Sequence, residues 1–246
     1  MNPLPHHIVI TGTSGGIGAA LAVHFCKRGW LVTGIDRLEA PDYLQAKAGF
    51  KGIIGNITNE FDMDAQFSAA SDRAPIGALI ANAAVTDLKH HLAVDMPFSV
   101  WQEVLRINVD GAFLTAQQAA RHMCLTGGGN IVFITSSLAR LSDAQAGDAP
   151  YCSSKAAVEM LCRVLAIELE PLSINVNTLF PTDIIDTGFF KMWSDKDRSR
   201  LAPPSILNES AFCLATQRTG AVTGCSLDQQ LWDNDPHYRK KWEDLS

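Results

Sequence analysis

The stretch HIVITGTSGGIG, residues 7–18, decides how the rest of this chain is read. Its first five residues form a short apolar run of strand type. The segment TGTSGGIG (11–18) follows at once, and the pattern after it is helical to about Arg28, where Gly29 stops it. Gly12 permits a tight turn, Gly16 lets backbone approach a pyrophosphate, and Gly18 allows close helix–sheet contact. The new helix aims its free N–H groups at that phosphate. A plain strand–helix turn is the alternative, but placement at the first strand–helix crossover favours the phosphate site. Ser14, Gly15 and Ile17 lie in the same turn and count with it as cofactor contacts.

Leu31–Ile35 reads as the second strand and ends at Asp36, eighteen residues beyond Gly18. An acidic side chain there can hydrogen-bond both ribose hydroxyls of NAD and would repel the 2′-phosphate of NADP. NAD(H) is therefore the preferred cofactor and NADP(H) the alternative, with Arg37 as the residue that could accommodate a phosphate or stack on adenine. Asn56, after the third strand and beside Ile57, is a candidate adenine contact or a surface-turn residue. Asn82, Ala83 and Ala84 follow the fourth strand, where the Asn82 amide can tie strand ends together and floor the cleft.

Further along, strands at 51–54, 78–81, 130–135, 174–179 and 222–227 alternate with helices near 41–48, 62–73, 98–125, 150–170 and 205–216. This alternation predicts βαβ units, a mostly parallel seven-stranded sheet and helices on both faces, in a single α/β domain over 1–246. Ligands of such sheets sit beyond the carboxyl ends of the strands. The irregular insert 184–204 is expected to act as a substrate lid, and 228–246 as a polar tail carrying aromatics.

The chain has 246 residues, 47% apolar, with a net charge of −6. No basic stripe suggests nucleic acid, and no apolar run is long enough to span a membrane. No leader pattern opens the chain. Six cysteines lack C-x-x-C spacing and read as thiols of a reducing compartment, which suggests the cytoplasm. The adjacent His90 and His91 cannot easily point at one ion, so no metal is expected.

The second half carries a candidate reacting group. In APYCSSKAAVEML, Tyr151 and Lys155 fall one helical turn apart on one face. A phenol titrates at about 10, and a fixed positive charge beside it favours the phenolate. Ser136 and Ser137 follow the strand NIVFIT, where a hydroxyl can hold a substrate oxygen or merely cap a turn. Asn108, inside the long helix, can compete for backbone groups, open a small kink and anchor water, or be an ordinary polar position.

Taken together these segments resemble the classical short-chain dehydrogenase/reductase family over about 6–225. TGTSGGIG resembles its TGxxxGxG motif, NAA (82–84) its NNAG-type segment, NVDG (108–111) its asparagine segment, SS (136–137) its serine segment and YCSSK (151–155) its YxxxK motif. The resemblance implies a Rossmann-type, three-layer αβα fold and hydride transfer between NAD(H) and a secondary alcohol or ketone. It implies Tyr151 as acid–base, Lys155 lowering its pKa and holding the nicotinamide ribose, Ser137 orienting the substrate and Asn108 completing a proton relay. Ser137 is taken over Ser136 because the second serine usually holds the role. Pro181, Thr182 and Ile184 would frame the nicotinamide, and Thr187 would contact its amide, with Asp186 as competitor. PTD (181–183) departs from the usual PG, and the segment after Thr223-Gly224 lacks the usual DGG, so the tail is expected to pack differently, along a partner subunit. A homotetramer or homodimer through helices 98–125 and 150–170 is implied. Phe189, Phe190, Met192 and Trp193 suggest an apolar lid wall suited to a partly hydrophobic or ring-bearing substrate. An NADP-dependent carbonyl reductase, a dehydratase or epimerase, and a non-enzymatic regulator are the competing readings.

Overall fold

HIVIT (β1, His7–Thr11) is buried along its whole length, and its side chains alternate between two apolar layers. Ile8 and Ile10 enter one core cluster and Val9 enters the other. A strand buried on both faces needs helices above and below it, and the chain supplies them in sequence order. In the computed structural model, which describes residues 6–190 and 193–244, α1 (Gly16–Lys27) follows β1 and leads to β2 (Leu31–Asp36). Next come α2 (Asp42–Gln45), β3 (Phe50–Ile54), α3 (Glu60–Ser71) and β4 (Ala78–Ala81). The long helical stretch is α4 (Phe98–Leu105), a π turn (Arg106–Asp110) and α5 (Gly111–Met123). Then follow β5 (Gly129–Ile134), α6 (Ala149–Leu169), β6 (Ile174–Phe180), α7 (Asp195–Arg198), α8 (Asn208–Ala215) and β7 (Ser226–Asp228). The helices α9 (Gln229–Asn234) and α10 (Pro236–Glu243) end the described chain.

The seven strands form one sheet in the order β3-β2-β1-β4-β5-β6-β7. Every pairing is parallel, so the expected sheet is parallel throughout. The order reverses between β1 and β4, which opens a crevice at their carboxyl ends. Chain ends that matter there are in register: Thr11 pairs with Ile35 and Ile134 with Leu179.

Two elements differ from expectation. The strand expected at 222–227 is only Ser226–Asp228, because the preceding residues bond to β6 by other means: Thr223 Oγ1 accepts from Val176 N–H and Gly224 N–H donates to Val176 O. The tail is helical and packs on its own subunit. Trp232 and Trp242 are buried in the core cluster shared with α1 and α8, and Asp228 N–H donates to Tyr238 Oη. Among the described residues, no helix is long and apolar enough to cross a membrane.

Candidate active site

At one end of the crevice the work is done by backbone. Gly12 has φ +79, and a Cβ there would stand 2.7 Å from Asn82 Nδ2, so any side chain would strike the strand-end asparagine. Asn82 Nδ2 donates to Thr11 O at 3.0 Å, and the N–H groups of Asn82 and Ala83 donate to Thr11 Oγ1. Asn82 thus ties β4 to β1, as its position suggests. A Cβ at Gly18 would lie 2.1 Å from Gly12 O, so α1 rests directly on the turn. Gly15 at the start of α1 offers no side chain to the first-turn N–H groups, and the space beside it is open. Those unpaired donors and the helix dipole make a cradle that fits a pyrophosphate.

Asp36 completes this end. Its Oδ2 accepts from Ser14 N–H at 2.8 Å and its Oδ1 from Leu38 N–H at 3.1 Å. The carboxylate is thereby fixed on the wall of a cleft of about 330 Å³ that Thr13, Leu38, Gln45 and Ile54 also line. Arg37 is exposed beside it. The residues present fit a dinucleotide. Asn56 and Ile57 follow the third strand. Asn56 Oδ1 accepts from the N–H and Oγ1 of Thr58, closing a turn, and Ile57 is buried in the core.

The other end is built from side chains. Tyr151 and Lys155 lie on α6, which faces the end of β5. Lys155 is buried, its Nζ donates to Ile134 O at 2.8 Å, and it stands 5.6 Å from the centre of the Tyr151 ring. Burial pulls the Lys155 ammonium down to about 8, with the Glu159 carboxylate acting against that fall. Burial also pushes the Tyr151 phenol up to about 12; a hydrogen bond with Ser136 works in the opposite direction, and the neighbouring Asp148 and Cys152 add to the rise. Desolvation is the leading cause of that rise. Tyr151 is therefore a protonated donor at neutral pH.

The two serines sit differently. Ser136 lies beside the Tyr151 phenol, where it works to lower the phenol's pKa, and its Oγ accepts from Leu138 N–H at 3.2 Å. Ser137 opens the short 3-10 turn that runs to Ala139. One residue more between serine and tyrosine than the usual spacing is the sequence signal that makes this register ambiguous.

Asn108 is buried in the π turn, which is the kink its sequence position suggests. Its Oδ1 accepts from Val85 N–H at 2.8 Å, and its Nδ2 donates to Val85 O and to Ser154 Oγ, both at 2.9 Å. Ser154 Oγ in turn donates to Tyr151 O. The amide thus fixes the segment after β4 against the start of α6.

The segment 184–204, expected to act as a lid, packs near this end. Ile185 is buried and bridges to Ala202, while Ile184 is exposed. Asp186 pairs with Arg198 at 2.9 Å, which leaves Thr187 to pack over Gly16. Phe189 meets Tyr151 edge-on, with ring centres 6.4 Å apart, and Phe190 packs on Trp193 at 4.8 Å. Met192 lies outside the described residues. Thr182 Oγ1 donates to Asp228 Oδ1, and Pro181 is half-buried beside it. His90 and His91 turn to different aspartates, Asp148 at 3.0 Å and Asp87 at 2.7 Å.

Comparison with known proteins agrees with this architecture. A model of the short chain dehydrogenase family matches residues 6–198. An NAD-dependent glycerol dehydrogenase of Listeria innocua is 30% identical, covering 89% of this chain and 90% of that one. A D-erythrulose reductase of Gallus gallus is 32% identical, over 89% and 92%. The crystal structure of a gluconate 5-dehydrogenase of Burkholderia cenocepacia in complex with NADP and tartrate superposes with a TM-score of 0.80 at 25% identity, covering 91% of this chain and 92% of that one.

Proposed function

The chain belongs to the short-chain dehydrogenase family, and we propose that it transfers hydride between NAD(H) and a secondary hydroxyl of a small polyol or the matching hydroxy ketone. The observation that carries the reading is the set Ser136–Tyr151–Lys155, enclosed beside a glycine turn and a fixed Asp36. Nicotinamide supplies the hydride acceptor or donor when bound. Tyr151 Oη gives its proton to the carbonyl oxygen in reduction and takes the hydroxyl proton in oxidation. The Ser136 hydroxyl shares that oxygen and orients it, with Ser137 as the alternative. Lys155 lends positive charge to the developing phenolate and, through its buried ammonium, a donor for the nicotinamide ribose. Asn108 holds the segment that frames the substrate.

Asp36 supports NAD(H) over NADP(H). Its carboxylate is locked by two backbone N–H groups and would meet a 2′-phosphate with like charge. The polyol class is drawn from the similar glycerol dehydrogenase and erythrulose reductase. A second reading, a substrate with an apolar or ring substituent, rests on Phe189 standing edge-on to Tyr151. Assembly into a dimer or tetramer through α5 and α6 is supported by exposed Phe113, Met160, Val164 and Ile167. A panel of polyols, hydroxy ketones and bulkier secondary alcohols, run with both cofactors and followed by the absorbance of reduced nicotinamide, tests the proposal. Turnover with small polyols and NAD is expected; preference for bulky apolar alcohols would move the assignment to the second reading.

A further inference from the structure

The stripe that begins with Tyr151 and Lys155 continues one turn further to Glu159. This half-buried carboxylate gathers hydroxyls from the residue after β5, from β6 and from β7. Oε1 accepts from Thr135 Oγ1 at 2.6 Å and from Ser226 Oγ at 3.3 Å, and Oε2 accepts from Thr178 Oγ1 at 3.0 Å. Thr135 lies between Ile134, whose carbonyl holds Lys155, and Ser136, which lies beside Tyr151. Lys155 itself has no carboxylate within ion-pairing distance among the described residues.

From this geometry we infer that Glu159 is a positioning residue for the acid–base set, fastening the end of β5 to α6 and supplying the negative charge that the buried Lys155 ammonium otherwise lacks. The inference rests on the dehydrogenase reading for what Lys155 and Tyr151 do. Hydroxyls from Thr135, Thr178 and Ser226 surround the carboxylate and hold it in place. An ionised group one helical turn from Lys155 acts on it through low-dielectric protein. The shift of Lys155 points the same way, since Glu159 opposes its fall.

Other groups around the pair do not supply this charge. Arg140 and Arg163 line the cavity of about 210 Å³ that Glu159 shares with Ser136, and both are cationic. Cys162 on α6 is held neutral by burial, with Cys225 beside it. Thr178 on β6 and Ser226 on β7 offer only hydroxyls, the π turn offers the neutral Asn108, and Glu103 of α4 is exposed. Tyr151 is protonated, and Asp148 acts on it from the start of α6.

The test is a pH titration of Lys155 in ¹³C-lysine-labelled protein, followed by NMR with Lys155→Arg assigning the signal, alongside NADH affinity by fluorescence across pH. Glu159→Gln is expected to lower the Lys155 midpoint by about one pH unit and to move the alkaline loss of NADH affinity down with it. Glu159→Asp, which keeps the charge but shortens the reach, should leave the midpoint near its parent value and lower kcat several-fold. If Glu159→Gln lowers kcat equally at all pH values with no change of midpoint, Glu159 is a structural staple only and the inference fails. Should the Gln variant not fold, a midpoint that falls in the Asp variant with kcat intact overturns it too. Failure of the dehydrogenase reading would show separately, as absent NADH binding and turnover in the unsubstituted protein, while the lysine titration still decides the charge role.

Discussion

The two ends of the crevice are built by different physics. At the Gly12–Asp36 end, backbone donors, a helix N-terminus and a carboxylate fixed by two N–H groups form the site, and its chemistry is set by local chain geometry. At the Tyr151 end the working atoms are buried or half-buried side chains, whose properties depend on residues brought from β5, β6, β7 and the π turn. Local geometry is robust to distant substitution. Enclosed side chains are not, because each pKa there is a balance between desolvation and a few partners.

The largest expected effect falls at the reacting end. Tyr151→Phe removes the phenolic proton and should lower kcat by about 10³-fold or more, with NADH affinity by fluorescence nearly unchanged. A matching loss of NADH affinity would erase the division between the two ends. Next, Ser136→Ala should cost about 10²-fold in kcat and exceed the effect of Ser137→Ala. The reverse order would restore Ser137 to the substrate oxygen. At the other end, Asp36→Ala should move the ratio of kcat/KM for NAD over NADP by about tenfold or more toward NADP, with kcat for the preferred substrate little altered. An unchanged ratio would remove the carboxylate from cofactor choice.

The smallest effect is a pH response. Oxidation needs the phenolate, and Tyr151 is pushed up to about 12, so kcat for oxidation should rise with pH through neutrality. Reduction needs the phenol, which persists there, so its rate should be nearly flat. Above about 8 Lys155 loses its proton, and both directions should then lose its support. Parallel profiles for oxidation and reduction would mean that Tyr151 is not the group that titrates.

This contrast also explains what the sequence made legible. The glycine turn, Asp36, Asn82 and the parallel sheet could be read directly, because strand–turn–helix geometry is written in neighbouring residues. Asn108 was legible as a kink, although its three hydrogen bonds were not. Choosing between Ser136 and Ser137 depended on the path of an irregular loop, which spacing alone leaves open by one residue. The rise of Tyr151 was hidden, since a helical pair reveals a nearby charge but not how deeply it is enclosed. Glu159 carries no signal in the helical pattern, because Thr135, Thr178 and Ser226 come to it from distant parts of the chain. The polar tail concealed its packing in Trp232 and Trp242, two aromatics spaced too irregularly to announce a core.

The central claim, that the Tyr151–Lys155 pair serves a nicotinamide fixed at Asp36, is tested most directly by single-turnover reduction of a small hydroxy ketone with NADH, comparing the unsubstituted protein with Tyr151→Phe. The account predicts stoichiometric oxidation of bound NADH in the first and tight binding without oxidation in the second. Equal rates in both would contradict it.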